Sequence, residues 1–188
     1  MKKRVVLGVS GASGAALSLA TARHLRALEV EVDLVVSASA RRTLTEECGE
    51  TAYDTLSAQA SRVHDIADIG AAVASGSVPI AGMIVAPCSM RSLAAIAHGL
   101  DDNLLTRAAG VQLKERRRVV LIARESPLTL AHLRNMTAVT EMGGIILPPV
   151  PAFYLNPPSV AAAVDQIAAR AVDLLSLANP VSQGWNPA

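Results

Sequence analysis

One short stretch of this sequence has the residue types of an anion site. Ser10-Gly11-Ala12-Ser13-Gly14 follows an apolar run and precedes a helix-like stretch. The glycine spacing, Gly8-x-x-Gly11-x-x-Gly14, differs from the G-x-G-x-x-G of dinucleotide folds, and the second predicted strand ends at Ser37 rather than at an acid that could hold a ribose. Hydroxyls at a helix N-terminus favour a phosphate. The turn therefore predicts a mononucleotide site, with a tight turn that needs small residues as the alternative.

Basic residues in later parts of the chain indicate a second anion. Arg107 and Lys114 are seven residues apart and share one helix face. Arg124 follows a strand-like run, and Arg170 lies at the margin of an apolar helix stripe. Each has an ordinary alternative, because the first two could form a solvated face and Arg170 could pair with Asp173 at i+3.

Other reactive residue types have simpler interpretations. Asp101-Asp102 could be a magnesium pair, but no second acidic pair follows it, and Asp often caps a helix, so no metal site is predicted. Cys48 and Cys88 are interpreted as small buried thiols rather than nucleophiles. The four histidines show no ligand spacing.

Short apolar runs alternate with helix-like stretches, which predicts an α/β fold: a single-domain, flavodoxin-like or Rossmann-like parallel sheet with helices on both faces. Residues 49–80 receive no assignment. The predicted strands are Val5–Val9, Glu31–Val36, Met83–Ala86, Val119–Ala123 and Gly144–Leu147. The predicted helices are Gly14–Leu28 with Ser13 as a possible cap, Ser39–Cys48, Ser89–Ala97, Asn103–Arg116 starting at Asp101 or Asp102, Leu128–Met142 and Ser159–Leu177. Ligands bind beyond the carboxyl ends of such strands, and the polar residues collect there.

Composition limits the possible functions. The 188 residues are 51% hydrophobic and 18% charged, with a net charge of +1. The length predicts one domain over residues 1–178, and the Pro- and Gly-containing end predicts an irregular tail over 179–188. The low charged fraction indicates strands buried on both faces, extensive subunit contacts, or both. The small net charge argues against nucleic acid as a partner. No run approaches the roughly 20 apolar residues of a membrane span, and two cysteines without a disulfide framework favour the cytoplasm.

Several motifs occur in order from Val5 to about Leu175: VSGASGAA, VAPCSMRSLAAIAHGLDDNLLTRAA, LKERRRVVLIARESPL, HLRNM and ILPPVPAFYLNP. Together they resemble the UbiX-like flavin prenyltransferase family. The resemblance implies a flavodoxin-like enzyme, usually a dodecamer, that joins the dimethylallyl group of dimethylallyl monophosphate to reduced FMN. The product, prenylated FMN, would serve a UbiD-type decarboxylase.

The same resemblance implies roles for individual residues. Ser13 and Ser37 would hold the FMN phosphate, and Ser89 would lie near the flavin ring with Arg107. The implied cofactor-binding set is Gly11, Ala12, Ser13, Ser37, Ser89, Arg107 and Arg124. The implied pocket for the allylic phosphate is Lys114, Arg124, Glu125, Tyr154 and Arg170, some of them donated by neighbouring subunits. The implied catalytic set is Glu47, Ser13, Glu125, Lys114 and Tyr154. Trp185 falls where some members place a tryptophan over the prenyl pocket.

The chemistry suits these residue types. An allylic phosphate leaves only if its developing charge is met, which Lys, Arg and Tyr donors can do without a metal. Glutamates could protonate the phosphate and move protons on the flavin. Three positions depart from the family pattern: Leu17, Arg91 and Arg134.

Two other functions stay open at this point. A non-catalytic FMN-binding or carrier subunit of an aromatic or unsaturated acid decarboxylase is the main alternative. An FMN-dependent decarboxylase of cysteine-derived thiols would need a Met-Asn-x-x-Met-Trp pattern, which the sequence lacks. The donor could be a monophosphate or a diphosphate.

Overall fold

The computed structural model describes residues 2–186, and the last two residues of the predicted tail lie outside this range. Six parallel strands form one sheet in the order β3-β2-β1-β4-β5-β6. The strands are β1 (Arg4–Val9), β2 (Glu31–Val36), β3 (Arg62–His64), β4 (Gly82–Cys88), β5 (Val119–Ala123) and β6 (Ile145–Ile146). Without the short edge strand β3, this is the flavodoxin order. The predicted α/β fold is confirmed.

Within residues 2–186, seven α-helices cover both faces of the sheet. One face carries α1 (Ala16–Ala27), α2 (Ala38–Cys48), α3 (Ala52–Ser57) and α7 (Val160–Asp173); the other carries α4 (Met90–Ala97), α5 (Leu104–Lys114) and α6 (Leu130–Glu141). Successive strand residues point to opposite faces, so Val5 and Leu7 join the first core and Val6 joins the second. Because both faces are covered, the central strands β1, β4 and β5 are nearly continuous apolar runs.

Local capping explains where the predicted helix ends were wrong. The α5 N-cap is Asn103, whose side chain accepts a hydrogen bond from the Thr106 N–H at 3.1 Å, and not Asp101 or Asp102. Helix α7 ends at Asp173 instead of Leu177. The sequence also predicts an apolar stripe of Val160, Val164, Ile167, Ala171 and Leu174 on this helix, but Val160 is 82% exposed and does not join the core.

A buried polar cluster holds the edge strand β3, which the sequence did not reveal. The Asp33 side chain is inaccessible to solvent. Arg4 donates to its two oxygens at 3.0 and 2.9 Å, and the His64 Nε2 lies 2.9 Å from Asp33 Oδ1. Asp33 is therefore a structural link between β1, β2 and β3.

The strand order reverses between β1 and β4, where the next helices leave on opposite faces of the sheet. A crevice forms at such a point beyond the carboxyl ends of the strands. Across residues 2–186, no helix combines the length and the apolar character needed to cross a bilayer.

Candidate functional site

The turn between β1 and α1 lies at this crevice and depends on its glycines. A Cβ on Gly11 would collide with the side chain of Ser39, at the start of α2. Gly14 has a φ of 105°, in the region that favours glycine. The turn therefore brings its own backbone close to the N-terminus of α2, where only a residue without a side chain fits.

The N-terminus of α1 is held by a carboxylate from α2. The N-cap is Ala15, whose side chain cannot cap, so the prediction of Ser13 as the cap was wrong. Instead, Gly14 and Ala15 each donate a backbone N–H to Glu47 Oε2 at 2.8 Å. These donors are the ones that a helix N-terminus offers to anions.

The charge state of Glu47 follows from these contacts. Burial raises the pKa of its carboxyl group. Hydrogen bonds from the Ala15 N–H, the Ser13 hydroxyl and the Gly14 N–H, together with the positive charge of Arg124, outweigh burial and hold the pKa below its usual value. Glu47 is therefore a carboxylate at neutral pH.

Serines join the elements that meet at the crevice. The Ser10 hydroxyl, which is buried, donates to the Pro87 carbonyl at 3.0 Å and accepts from the Ser89 N–H at 2.7 Å. Ser89 in turn caps α4, because its side chain accepts from the Ser92 N–H at 3.3 Å. The ends of β1 and β4 are thus fixed to each other where a ligand would lie.

Ser37 places two more hydroxyls at the same edge. It caps α2 by accepting from the Ala40 N–H at 3.1 Å, and its Oγ lies 3.1 Å from Ser39 Oγ. The Ser37 N–H donates to the Val9 carbonyl at 3.0 Å, which fixes this serine pair beside the end of β1. Hydroxyls and helix N-termini are a suitable donor set for a phosphate.

Arg124 adds a positive charge to this edge. It follows β5, and its Nε donates to the Ser13 carbonyl at 3.2 Å. Glu125, the next residue, is exposed and accepts from the Ser126 N–H at 3.0 Å. The structure therefore brings Glu47 and Arg124 to the same turn, where each contacts Ser13, with Glu125 next to Arg124 in the chain.

Tyr154 and Arg170 lie in a separate cavity. It has a volume of about 360 Å³ and is bounded by α7, by the proline-rich loop after β6 and by the chain end. Trp185 also lines it, with its ring centroid 5.2 Å from that of Tyr154 in an edge-to-face arrangement. Leu147 and Ile167 supply apolar walls. The cavity thus combines one cation, one phenol and an apolar lining.

Arg107 and Lys114 are not brought to either place within one chain. Both line a groove of about 370 Å³ along α5. Arg107 pairs with Asp101 at 2.9 Å, and Lys114 pairs with Glu115 at 2.5 Å. Helix α5 ends at Lys114, just before β5 begins. Lys114 therefore lies toward the amino ends of the strands, whereas Ser13 lies beyond their carboxyl ends.

The surroundings of Asp101, Asp102 and Cys88 agree with the simpler interpretations of these residues. Asp101 pairs with Arg107, and Asp102 contacts Arg91. In the described part of the chain, no group of three or more His, Cys, Asp or Glu residues could hold a metal. Cys88 is fully buried, and burial raises the pKa of its thiol to about 12, which makes it a poor nucleophile.

Sequence reasoning missed several residues that shape these places. Ser39 belongs to a serine-rich pattern that could have suggested it, whereas Ser10 was already part of the predicted turn but had no role of its own. Gln166 and Asp173 hold the chain end, through contacts for which the sequence gives no local signal. Leu17 is buried in the core, 3% exposed, rather than lining the cavity.

Comparison with known proteins gives a consistent result. A model of the Flavoprotein family matches residues 1–176. The chain is 51% identical over 187 residues to the flavin prenyltransferase UbiX of Neisseria meningitidis serogroup B, an alignment that covers 98% of this chain and 97% of that protein.

Two solved structures are closely similar along their full length. The crystal structure of AnUbiX (PadA1) in complex with FMN and dimethylallyl pyrophosphate has a TM-score of 0.94 and 45% identity, covering 100% of this chain and 99% of that one. A dodecameric FMN-dependent UbiX-like decarboxylase from Escherichia coli O157:H7 has a TM-score of 0.93 and 41% identity, covering 98% and 100%.

Proposed function

The chain belongs to the Flavoprotein family, among the UbiX flavin prenyltransferases, and from this premise we propose how its residues join a dimethylallyl group to reduced FMN. The C–O bond of a dimethylallyl phosphate breaks, the allylic carbon is bonded to the flavin, and phosphate and prenylated FMN are released. The observation that carries the proposal is the contact between the Ser13 turn, Glu47 and Arg124 at the crevice. This contact supports the proposal because a carboxylate and a cation lie beside the same helix N-terminus, which offers backbone N–H donors to an anion.

The residues of the first turn fit the phosphate of FMN. Gly11 leaves room beside Ser39, and Ser13 and Ser37 present hydroxyls at the N-termini of two helices. Ser89 and Arg107 are proposed to contact the flavin ring. When bound in its reduced form, FMN supplies the nucleophilic ring that accepts the prenyl group. The protein's part is to hold that ring against the prenyl carbon, since two bonds must form in register.

The remaining cations are proposed to receive the leaving phosphate. Lys114, Arg124 and Arg170 carry positive charge, and the Tyr154 hydroxyl can donate a further hydrogen bond. Charge-assisted bonds of this kind are stronger than neutral ones and stabilise charge as it develops on the leaving oxygen. Glu125, beside Arg124, is proposed to protonate that phosphate.

Glu47 is proposed to act as a base. Its carboxylate is ionised, and Oε2 lies next to the turn that holds the phosphate of FMN. An ionised carboxylate can accept a proton from the flavin as the second bond forms but has none to donate. The lowered pKa of Glu47 thus supports its proposed role as a proton acceptor.

The site is proposed to be shared between chains of a homo-oligomer. One chain does not bring Lys114 and Arg107 to Ser13, so a neighbour must supply them if they act there. The dodecameric relative supports an oligomer, and we propose a dodecamer for this chain. Transfer of the product to a UbiD-type decarboxylase and a cytoplasmic location stay predictions.

The activity is tested by mixing the protein with reduced FMN and dimethylallyl monophosphate without air. We expect the flavin spectrum to change and its mass to increase by one prenyl group; a parallel reaction with the diphosphate identifies the preferred donor. Unmodified flavin at saturating substrate would contradict the proposal. An apo-decarboxylase that is activated by this protein and FMN alone, without the prenyl phosphate, would favour the carrier function instead.

A further inference from the structure

The end of the chain folds back along α7 as a strap, which we define as residues 181–186. Asp173, the last residue of α7, anchors its start. The Asp173 carboxylate accepts hydrogen bonds from the Val181 N–H at 2.8 Å, the Ser182 N–H at 3.0 Å and the Ser182 hydroxyl at 2.5 Å. Three donors on one carboxylate fix the position of this part of the strap.

A second anchor lies two helical turns away. Gln166 Nε2 donates to the Gln183 carbonyl at 2.8 Å, and Gln166 Oε1 accepts from the Gln183 N–H at 3.1 Å. The Gln166 side-chain amide thus pairs with the Gln183 backbone through two hydrogen bonds, as neighbouring strands pair in a β-sheet. Because Asp173 holds residues 181 and 182 while Gln166 holds residue 183, the strap runs antiparallel to α7.

The strap lies along the helix face that carries Arg170. Gln166, Arg170 and Asp173 are spaced i, i+4 and i+7, so they project from the same side of α7. Core residues such as Ala168 and Val172 occupy the opposite side and are buried. The two anchors therefore bracket Arg170.

The far end of the strap forms one wall of the cavity. Trp185 lines the same 360 Å³ space as Arg170 and Tyr154, and its ring packs edge-to-face on the Tyr154 ring. Trp185 is nevertheless 67% exposed, so this aromatic contact and the two anchors must hold it. The edge-to-face contact with Tyr154 is worth about 1 kcal/mol, too little to order residues 181–186 without the anchors.

We propose that Asp173 and Gln166 are positioning residues for prenyl transfer. By fixing the strap they hold Trp185 over the pocket, where its indole covers the prenyl carbons beside the phosphate contact of Arg170. This cover excludes water that would otherwise compete with the flavin for the allylic carbon. The inference rests on the proposed function, because it assumes that the prenyl phosphate binds in this cavity.

The chain contains a single tryptophan, so its fluorescence reports on the strap directly. In the assembled protein without ligands, we expect Asp173→Ala and Gln166→Ala to shift the Trp185 emission to longer wavelength and to increase its quenching by acrylamide. Asp173→Asn keeps a carbonyl acceptor and should lie between Asp173→Ala and the wild type. Asp165→Ala is the matched control, because Asp165 is on the same helix but pairs with Arg23 and His24.

Kinetic measurements distinguish a loss of Trp185 positioning from a general loss of protein stability. Asp173→Ala and Gln166→Ala should raise the KM for dimethylallyl monophosphate about tenfold, which corresponds to about 1.4 kcal/mol. The dissociation constant for FMN should change less than about twofold, because FMN is proposed to bind at the Ser13 turn. Asp165→Ala should lower the unfolding temperature without changing this KM or the Trp185 emission.

The possible results separate a failure of the proposed prenyltransferase function from a failure of the positioning roles of Asp173 and Gln166. If wild-type protein leaves flavin unmodified, the proposed function is wrong and the roles of Asp173 and Gln166 fall with it. If wild-type protein transfers the prenyl group but the Asp173→Ala/Gln166→Ala double variant keeps wild-type emission and KM, only the positioning inference is overturned. Equal effects of Asp165→Ala on emission and KM would overturn it as well.

Discussion

At the scale of single residues, Glu47 shows how one side chain can serve both structure and chemistry. It completes the N-terminus of α1, where a capping side chain would ordinarily lie, and its carboxylate stays ionised because two backbone N–H groups and Arg124 favour the charge. A phosphate bound at the same turn would compete for those donors. Arg124, which contacts the same turn, would then offset the negative charge of both Glu47 and the phosphate.

Glu47→Gln should make the stability of the protein less dependent on pH. The pKa of Glu47 is lower in the folded protein than in the unfolded chain, so the carboxylate stabilises the fold above its unfolded pKa, about 4.5. This contribution is lost as pH falls through the folded pKa. Urea unfolding between about pH 6 and pH 3 should show a shallower decline for Glu47→Gln than for wild type. Glu50→Gln, an exposed control, should follow the wild-type curve.

Gly11→Ala should disturb the phosphate turn by steric conflict. The new Cβ would collide with the side chain of Ser39, at a cost of about 1–3 kcal/mol, and FMN affinity should fall in a binding titration. Gly70→Ala is the matched control, because its Cβ would meet only Asp68 Oδ1 at an ordinary 3.5 Å. Adding Ser39→Gly to Gly11→Ala should recover part of the loss, and no recovery would contradict the steric explanation.

At the scale of secondary-structure elements, the sequence predicts what depends on local pattern. Buried parallel strands are continuous apolar runs, so β1, β2 and β5 were found with little error, and the polar residues that follow them mark the crevice. Strand β3 was missed because three residues at the sheet edge carry no apolar pattern, and distant Asp33 holds them in place. Contacts such as Glu47 to Gly14 and Asp173 to Ser182 depend on how the chain folds back, which no local pattern reveals.

Arg4→Met should destabilise the β1–β2–β3 edge of the sheet. The Asp33 carboxylate is inaccessible to solvent, and the substitution removes the guanidinium that donates to both of its oxygens. Loss of one member of a buried ion pair costs about 3–5 kcal/mol. Arg62→Met is the control: Arg62 is half exposed and lies 3.9 Å from Asp33, so its loss should cost less than about 1 kcal/mol. Denaturant unfolding at equal protein concentration would measure both, and equal losses would contradict this account.

At the scale of the whole molecule, Lys114 and Ser13 lie toward opposite ends of the strands within one chain. If both act at one site, two inactive variants should restore activity to each other when they assemble together. Lys114→Ala and Arg124→Ala should each abolish prenyl transfer, and Lys114→Ala should retain FMN binding. Suppose that each site takes Lys114 from one chain and Arg124 from another. When the two variants are co-expressed in equal amounts, roughly a quarter of the sites should then combine an intact Lys114 with an intact Arg124 and regain activity. Assays of purified mixed oligomers would test this. Activity no higher than the sum of the single variants would place both residues on one chain.

Helix α6 has a further consequence for the life of the protein in a cell. It contributes only Val139 to the fully buried core, while Leu130 and Leu133 remain exposed. An isolated chain therefore exposes apolar side chains on α6, and this surface favours aggregation unless another chain packs against it.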